Sequence, residues 1–332
     1  MDALALCTGR VEDRVLVLEK SALVGHDQLM LPLDRLTVVV LNWETPELTV
    51  RCLRALVDDG VPPARVVVVD NGSRDGSVER LRGELPACVV HALGENVGYA
   101  RAANAGARQL DGEAYLIMNN DAFVHQPGSV QTLVDALADR SVGLVVPRLR
   151  NADLTLQPTV RPLPTPGVSM LRATGLGRLI PNRWQPNWSH HWDHATSRAI
   201  DAADGAVVLV RGETWRQLGG YNEARRMYAE DSDLCWRARR FGWRIWFSTD
   251  SEFIHLGNAT VSRRWTDPQR ASMIGREESR LLREQLSPSA ARLSIAAISV
   301  YLRWRGTAYR LRGDRETAAA LRAEREAYTT AD

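Results

Sequence analysis

Lysine is almost missing from this sequence. Lys20 is the only one among 42 cationic side chains, and the rest are arginine. Arginine is the better bidentate partner for phosphate, although coding bias explains such an excess more simply. Against 40 acids the net charge is only +2, so the global balance gives no reason to expect nucleic acid as a partner. Cysteine is scarce as well. Cys7, Cys52, Cys88 and Cys235 stand far apart with no CxxC pair, which speaks against a zinc knuckle or disulfide scaffold and fits a reducing cytoplasm. No positive patch leads into an apolar run at the N-terminus, so no secretory signal is expected. Near the C-terminus the longest uncharged stretch is residues 293–302, about half of the roughly 20 needed to span a bilayer. What is present is ordinary for a folded chain: 45% hydrophobic and 25% charged residues rule out wholesale disorder, and 332 residues fit two domains or one large α/β domain with additions.

Residues 1–34 carry no clear pattern and read as an N-terminal extension. From Leu36 the pattern sharpens. Residues 36–41 form a β-branched run without polar alternation, the mark of a strand buried on both faces. Thr45 and Pro46 suit the N-cap and first turn of a helix whose apolar positions are Leu48, Cys52, Leu53 and Leu56. Further strands are expected at 65–70, 89–92, 114–118 and 144–147, with helices from Gly76-Ser77 and over 99–110 between them. This rhythm predicts a parallel sheet with crossover helices, whose ligands sit beyond the carboxyl ends of the strands. Three polar clusters fall at those ends: Asn42-Trp43-Glu44, Asp70-Asn71-Gly72-Ser73 and Asn119-Asn120-Asp121. Residues 151–200 are rich in Pro, Trp, His and Arg with little periodicity, and read as a substrate loop or lid. A strand at 206–210, helices at 213–218 and 230–241, a strand at 243–247 and a helical region from Asp267, broken near Ser287-Pro288, complete the expectation.

Each polar cluster has a bland reading beside its functional one. Asp121 can hold a divalent cation against a diphosphate, yet Asn and Asp also favour plain turns. Asp70 can bind a base or ribose, and Gly98, between Asn96 and Asn104, permits close approach of a ligand to the backbone. Glu230, Asp231 and Asp233 suit the N-terminal dipole of a helix, but Tyr228, Trp236 and Arg237 around them exceed what a solvated cap needs, and one acid there can act as a general base. His255 is either a structural residue or, with Asp121, a metal ligand. His190, His191 and His194 have metal-like spacing, but their Trp-rich setting favours the substrate loop.

Six motifs occur in order over residues 36–260: Val38-Val39-Val40-Leu41-Asn42; Val68-Val69-Asp70-Asn71-Gly72-Ser73; Asn96-Val97-Gly98 with Asn104; Asn119-Asn120-Asp121; Gly219-Gly220-Tyr221-Asn222-Glu223; and Glu230-Asp231-Ser232-Asp233-Leu234 with Arg237. Together they resemble glycosyltransferase family 2, inverting enzymes with a GT-A fold, and within it the bacterial rhamnosyltransferases of cell-surface polysaccharide assembly. The resemblance implies an α/β fold of GT-A type: a mostly parallel nucleotide-binding sheet flanked by helices, over residues 35–265, with a nucleotide-sugar half (35–150), an acceptor half (151–265) and a C-terminal helical region (266–332). It implies a nucleoside-diphosphate sugar donor, dTDP- or UDP-linked, with L-rhamnose as the first guess, a glycan or polyprenyl-linked acceptor, and Mg²⁺ or Mn²⁺ as cofactor. Asp231 takes the place of the catalytic base, with Glu230 at the sugar or acceptor. Donor contacts fall to Asn42, Glu44, Asp70, Asn71, Arg74, Asn96, Gly98, Arg101, Asn104 and Asn120. Metal ligation falls to Asp121 and His255, and acceptor contacts to Asp204, Tyr228 and Arg237. Two departures stand out: Asn119 replaces an acid common at the start of the metal motif, and Ala103 replaces an arginine common before Asn104.

The C-terminal region reads in two ways. Ile295, Ile298, Leu302, Tyr309 and Leu311 lie among Arg292, Arg303, Arg305, Arg310, Arg312 and Arg315, with Tyr301 and Trp304 as interfacial aromatics. Such a helix can lie in a membrane surface, giving a cytoplasmic protein peripheral on the inner face of the membrane, or it can pack on the catalytic domain or on a second copy. Two rival functions remain at this stage. A sugar nucleotidyltransferase wants a Gly-rich basic loop after the first strand, where Asn42-Trp43-Glu44 stands. A glycosyltransferase-like protein without activity is hinted at only by Asn119. A dehydrogenase is disfavoured because no GxGxxG follows the first strand.

Overall fold

The structure is a computed structural model that describes residues 31–176, 192–225, 227–257 and 267–330. Most of the N-terminal extension, and His190 and His191, therefore lie outside the described residues.

The chain opens with β1 (Leu36–Asn42), α1 (Pro46–Asp58), β2 (Val66–Asp70), α2 (Ser77–Glu84), β3 (Val89–Ala92), α3 (Tyr99–Ala107), β4 (Ala114–Asn119) and β5 (Ala122–Val124). There follow α4 (Ser129–Asp135), β6 (Val142–Arg150), β7 (Leu156–Gln157), β8 (Val160–Arg161), α5 (Pro166–Thr174), β9 (Arg198–Ile200) and β10 (Ala202–Ala203). The last part holds β11 (Val207–Arg211), α6 (Gly212–Leu218), α7 (Glu230–Arg240), β12 (Arg244–His255), α8 (Asp267–Gln285), α9 (Pro288–Leu311) and α10 (Arg315–Thr330).

The main path of the central sheet runs β3-β2-β1-β4-β11-β6-β12-β5. β3, β2, β1 and β4 are mutually parallel, β6 is parallel to β12, and β11 lies antiparallel between β4 and β6. β6 and β12 therefore point the same way as β4, and the sheet is mostly parallel, as expected. The side chains of β1 alternate as a pleated strand requires. Leu36, Val38 and Val40 join one core with Val50, Leu53 and Leu56 of α1, while Val39 joins the other with the alanines of α3. α3 lies unusually close to the sheet. A Cβ at Gly106 would stand 2.5 Å from Val39 Cγ1 and 2.6 Å from Val69 Cγ2. That contact aims the start of α3, at Gly98, at the carboxyl ends of β1 and β2.

Three differences from the sequence reading have physical causes. The stretch 151–200 is not a bare loop, since it contributes β7, β8, α5 and β9, elements two to nine residues long; β7 folds back on β6, and β8 and β9 pair with strands about 40 or more residues away in sequence. β12 continues past 247 to His255 because a bulge between Ser248 and Glu252 carries the strand through a polar run. The membrane face expected on Ile295, Ile298 and Leu302 is instead core: all three are buried in the cluster that includes α7 and β12. No helix among the described residues is long and apolar enough to cross a membrane.

Candidate active site

Strand direction gathers the functional residues along one sheet edge. Parallel β1, β2 and β4 end there with Asn42, Asp70 and Asn119, and β12 ends there with His255. β11 runs the other way, so its start lies at the same edge, where the Asn119 N–H donates to Ala206 O at 2.9 Å. The preceding residue closes the ring: Gly205 N–H donates to Asp231 Oδ2 at 3.1 Å, from the first turn of α7. A Cβ on Gly205 would meet Asp231 Cβ at 3.1 Å, so glycine lets this backbone come close. Asp121 and Asp231 thus stand at the same end of the sheet. Tyr99 lies near both, its hydroxyl on Gly205 O at 3.3 Å and its phenol feeling the charges of Glu230, Asp231 and Asp121.

Asp231 is well anchored. Its Oδ2 also accepts from Arg161 Nη2 at 2.8 Å, its Oδ1 from Ser232 N–H at 2.6 Å, and its side chain keeps 17% exposure. Arg161 binds Asp204 Oδ1 at 2.6 Å too, and its Nη1 lies 3.9 Å from Glu278 of α8. Burial alone would lower the Arg161 pKa, but the three acids outweigh it and the guanidinium stays charged. Burial, only partly offset by Arg161, pushes the Asp204 carboxyl up to about 6. Glu230 is pushed to about 8, first by burial and then by the charge of Asp231, so it is mainly a neutral acid at pH 7. Its Oε2 is buried without a hydrogen-bond partner among the described residues, as is the Tyr228 hydroxyl, whose pKa burial raises to about 12. Tyr228 and Ala229 both have positive φ (69° and 59°) directly before α7, and Glu44 has φ 54° at the end of β1. Left-handed backbone at non-glycine residues is costly and collects at functional sites.

At the opposite wall Asp121 Oδ1 faces His255 Nε2 at 3.3 Å. Gln157 fixes the ring. Its amide nitrogen donates to Asn151 Oδ1 at 2.9 Å, so its oxygen accepts from His255 Nδ1 at 2.8 Å, leaving the Nε2 lone pair toward the carboxylate. Asn119 Nδ2 lies 3.4 Å from the same Nε2, and the ring nitrogen beside the Asp121 carboxylate forms a donor set of the kind a divalent cation takes. Two protein ligands suit a cation that takes its other oxygens from a diphosphate and water. Among the described residues no group of three or more His, Cys, Asp or Glu forms a self-sufficient metal cage. His194 is not part of any such group; it is buried, stacked on Trp192 with ring centroids 4.3 Å apart, and bonded through Nδ1 to Trp192 O.

The remaining expected residues divide. Asn42 Nδ2 donates to Asp70 Oδ2 (2.7 Å) and Ser73 N–H to Asp70 Oδ1 (2.9 Å), with Asp70 only 1% exposed. Asp70 therefore braces the ends of β1 and β2. Asn71 accepts from Val97 N–H, and Asn96 from Gly98 N–H, both at 3.0 Å; these bonds shape the turn before α3. Gly72 packs on that turn, where a Cβ would lie 2.3 Å from the Glu95 carbonyl carbon. Glu44 N–H donates to Ser73 Oγ at 2.8 Å, and Arg74 lies exposed on the same rim. Four further expected residues have partners within the protein. Asn104 is buried, with Nδ2 on Tyr221 O and Oδ1 on Tyr221 N, both at 2.9 Å, so it ties α3 to the turn after α6. Arg237 binds Asp233 (2.6 Å), Leu218 O (2.9 Å) and Gly220 O (3.0 Å) and holds that same turn, not the crevice. Asn120 donates to Thr45 Oγ1 and Thr49 Oγ1, both at 2.8 Å. Arg101 is 58% exposed and points toward Glu223. Sequence reasoning missed Arg161, Gly205, Gln157 and Tyr99. Nothing in local spacing marks the first three, which reach the site through short strands or loops.

The sequence profile described as glycosyl transferase family 2 matches residues 37–208, more than half of the chain. The chain belongs to glycosyltransferase family 2. It is 29% identical over 235 residues to the N-acetylglucosaminyl-diphospho-decaprenol L-rhamnosyltransferase of Mycobacterium tuberculosis, covering 67% of this chain and 76% of that protein. It is 27% identical over 214 residues to the low-salt glycan biosynthesis hexosyltransferase Agl10 of Haloferax volcanii, covering 63% of this chain and 62% of that one. Among solved structures, the mannosyltransferase PcManGT of Pyrobaculum calidifontis, in complex with GDP-Man and Mn²⁺, superposes with a TM-score of 0.57 at 18% identity over 96% of this chain and 94% of that chain. That likeness establishes the GT-A fold. The enzyme is a glycosyltransferase, and the rhamnosyltransferase likeness expected from its motifs is present. The family profile ends before α7, which carries Asp231.

Proposed function

We propose that this glycosyltransferase inverts the anomeric centre of a dTDP- or UDP-linked sugar, L-rhamnose first, and transfers it to a hydroxyl of a glycan or polyprenyl-linked acceptor on the cytoplasmic side of the membrane. The observation that supports the proposal is that Asp121 and Asp231 stand at the same end of the sheet, next to the linked pairs Asn119–Ala206 and Gly205–Asp231. The likeness to a rhamnosyltransferase supports the sugar.

Asp231 acts as the base. Three donors fix its carboxylate, and it takes the proton from the acceptor oxygen as that oxygen attacks the anomeric carbon. The bond to the diphosphate breaks on the opposite face, so a single displacement inverts the centre. One base suffices, unlike the carboxylate pair of glycoside hydrolases. Glu230, neutral at pH 7, offers a hydroxyl proton to a sugar oxygen rather than competing for the acceptor proton. Asp204 and Tyr228 line the acceptor side. A divalent cation held by Asp121 and His255, when bound, neutralises charge on the leaving diphosphate.

The test is a panel of nucleotide sugars in thermal-shift and transfer assays, with and without Mn²⁺, and the product anomer read by NMR. The proposal expects stabilisation by a dTDP- or UDP-sugar with Mn²⁺ and an inverted product. Response only to a purine nucleotide sugar, or retention of configuration, would overturn it.

A further inference from the structure

We propose that the solvent face of α9 docks on the headgroup layer of an anionic lipid bilayer. This face is not the one expected from the sequence. The inner side of α9, with Ala291, Ser294, Ile295, Ala297, Ile298 and Leu302, is buried against α5, α8, α10 and the catalytic core.

The outer side carries a second apolar stripe. Leu293, Val300, Trp304 and Leu311 are 47%, 46%, 70% and 83% exposed. Their spacings of seven, four and seven residues put them on one line along the helix. Arg292, Arg303 and Arg310 are spaced by eleven and seven, close to whole turns, so they form one edge of the stripe; all three are exposed. Across its 24 residues α9 holds Arg292, Arg303, Arg305 and Arg310 and no acid. The neighbouring helix α5 extends the apolar surface: it contains no acid, and Met170 on it and Leu176 just beyond it are 47% and 52% exposed. Six of the eight large hydrophobic residues exposed among the described residues therefore lie on these two packed helices or at the end of one of them.

Single exposed apolar residues are normal on a protein surface. An ordered stripe flanked by arginine, on a helix without acids and bearing an exposed Trp, has the chemistry of a helix lying in a membrane interface. Anionic headgroups complement its charge. Pairing of α9 with a second copy of itself fits less well, because α9 carries no acid to meet the arginine edge, and Glu326 of α10 beside it is already paired with Arg322. The position of the face also makes sense. β8 ends at Arg161, which binds Asp231, and α5 begins a few residues later at Pro166, so a short stretch of chain connects the proposed acceptor side with this surface. On its α10 side the stripe ends at a shallow groove lined by Ser299, Val300, Arg303, Arg325, Glu326 and Thr329.

The test uses the whole protein, without donor or acceptor, in flotation with phosphatidylcholine vesicles that contain or lack phosphatidylglycerol. Its outcome is thus independent of the transfer reaction. Wild type is expected to float with the anionic vesicles and to dissociate at high salt. Two variant sets, Trp304→Ser with Leu311→Ser, and Arg292→Gln with Arg303→Gln and Arg310→Gln, should each bind about tenfold more weakly or worse. Both sets change exposed side chains, and unchanged thermal melting confirms intact folding. Failure of wild type to float, or flotation of both variants at wild-type levels, overturns the proposal. So does a wild-type dimer in sedimentation that the Trp304→Ser, Leu311→Ser variant converts to monomer without any vesicle binding; the face would then be a contact between copies.

Discussion

Replacing Glu230 by glutamine probes the crevice through stability rather than turnover. Burial and the adjacent Asp231 raise the Glu230 carboxyl from its ordinary 4.5 to about 8. Below about pH 4.5 the folded and unfolded chains both hold the proton, and the carboxyl has no pH-linked effect. Between there and about pH 8 the unfolded chain ionises while the folded chain keeps its proton, so wild type loses stability as pH rises. Above about pH 8 both states are ionised and the loss is complete. The full interval corresponds to ~5 kcal/mol. Glu230 keeps some contact with water, which reduces the expected loss to about 2 kcal/mol. Glutamine matches the neutral acid in shape and cannot ionise. Glu230→Gln should therefore equal wild type near pH 4.5 and become progressively more stable, by about 2 kcal/mol at pH 9. Urea denaturation of both proteins from pH 4.5 to 9 measures this directly. Parallel stability curves would refute the reasoning and place Glu230 in a more open or better paired setting.

Other consequences follow from particular contacts. Arg225 is 1% exposed and joins Asp233 of α7 (3.3 Å) to Glu277 and Glu284 of α8. Arg225→Met leaves Asp233, itself 1% exposed, with Arg237 as its remaining cation and should cost about 2–3 kcal/mol in urea denaturation; a loss below about 1 kcal/mol would show the network to be dispensable. Gly72→Ala forces a Cβ against the Glu95 backbone at φ +79° and should destabilise by about 2 kcal/mol or more while disturbing the turn before α3, read as a lowered Tm and weaker nucleotide binding. Asp121→Ala should abolish Mn²⁺ binding in calorimetry with a nucleoside diphosphate present, and His255→Ala should weaken it; unchanged binding in both would move the cation elsewhere.

The half of the fold that the sequence made legible is the half built from local rules. Val38-Val39-Val40 and Val66–Val69 are buried on both faces, so their uninterrupted apolar runs announce strands, and the polar residues that end them announce the crevice. The reading weakened where placement depends on distant partners. Arg161 sits in a two-residue strand paired only with Ala202, inside a Pro-rich stretch without periodicity, yet it holds Asp231. Asn104 and Arg237 fit the family pattern and lie near the site in sequence, but their polar atoms serve the Gly220-Tyr221 turn, a requirement visible only once burial is known. α9 is apolar on two sides, and no periodicity tells which side meets protein and which meets solvent.

The most direct test is Asp231→Asn, measured for donor affinity and for transfer in the same preparation. The variant should bind nucleotide sugar with a wild-type Kd, because the cation wall at Asp121 and His255 is untouched, while kcat falls by about 10²–10⁴-fold. Transfer at near wild-type rate would remove Asp231 as the base, and with it the account of this crevice as a two-acid transfer site.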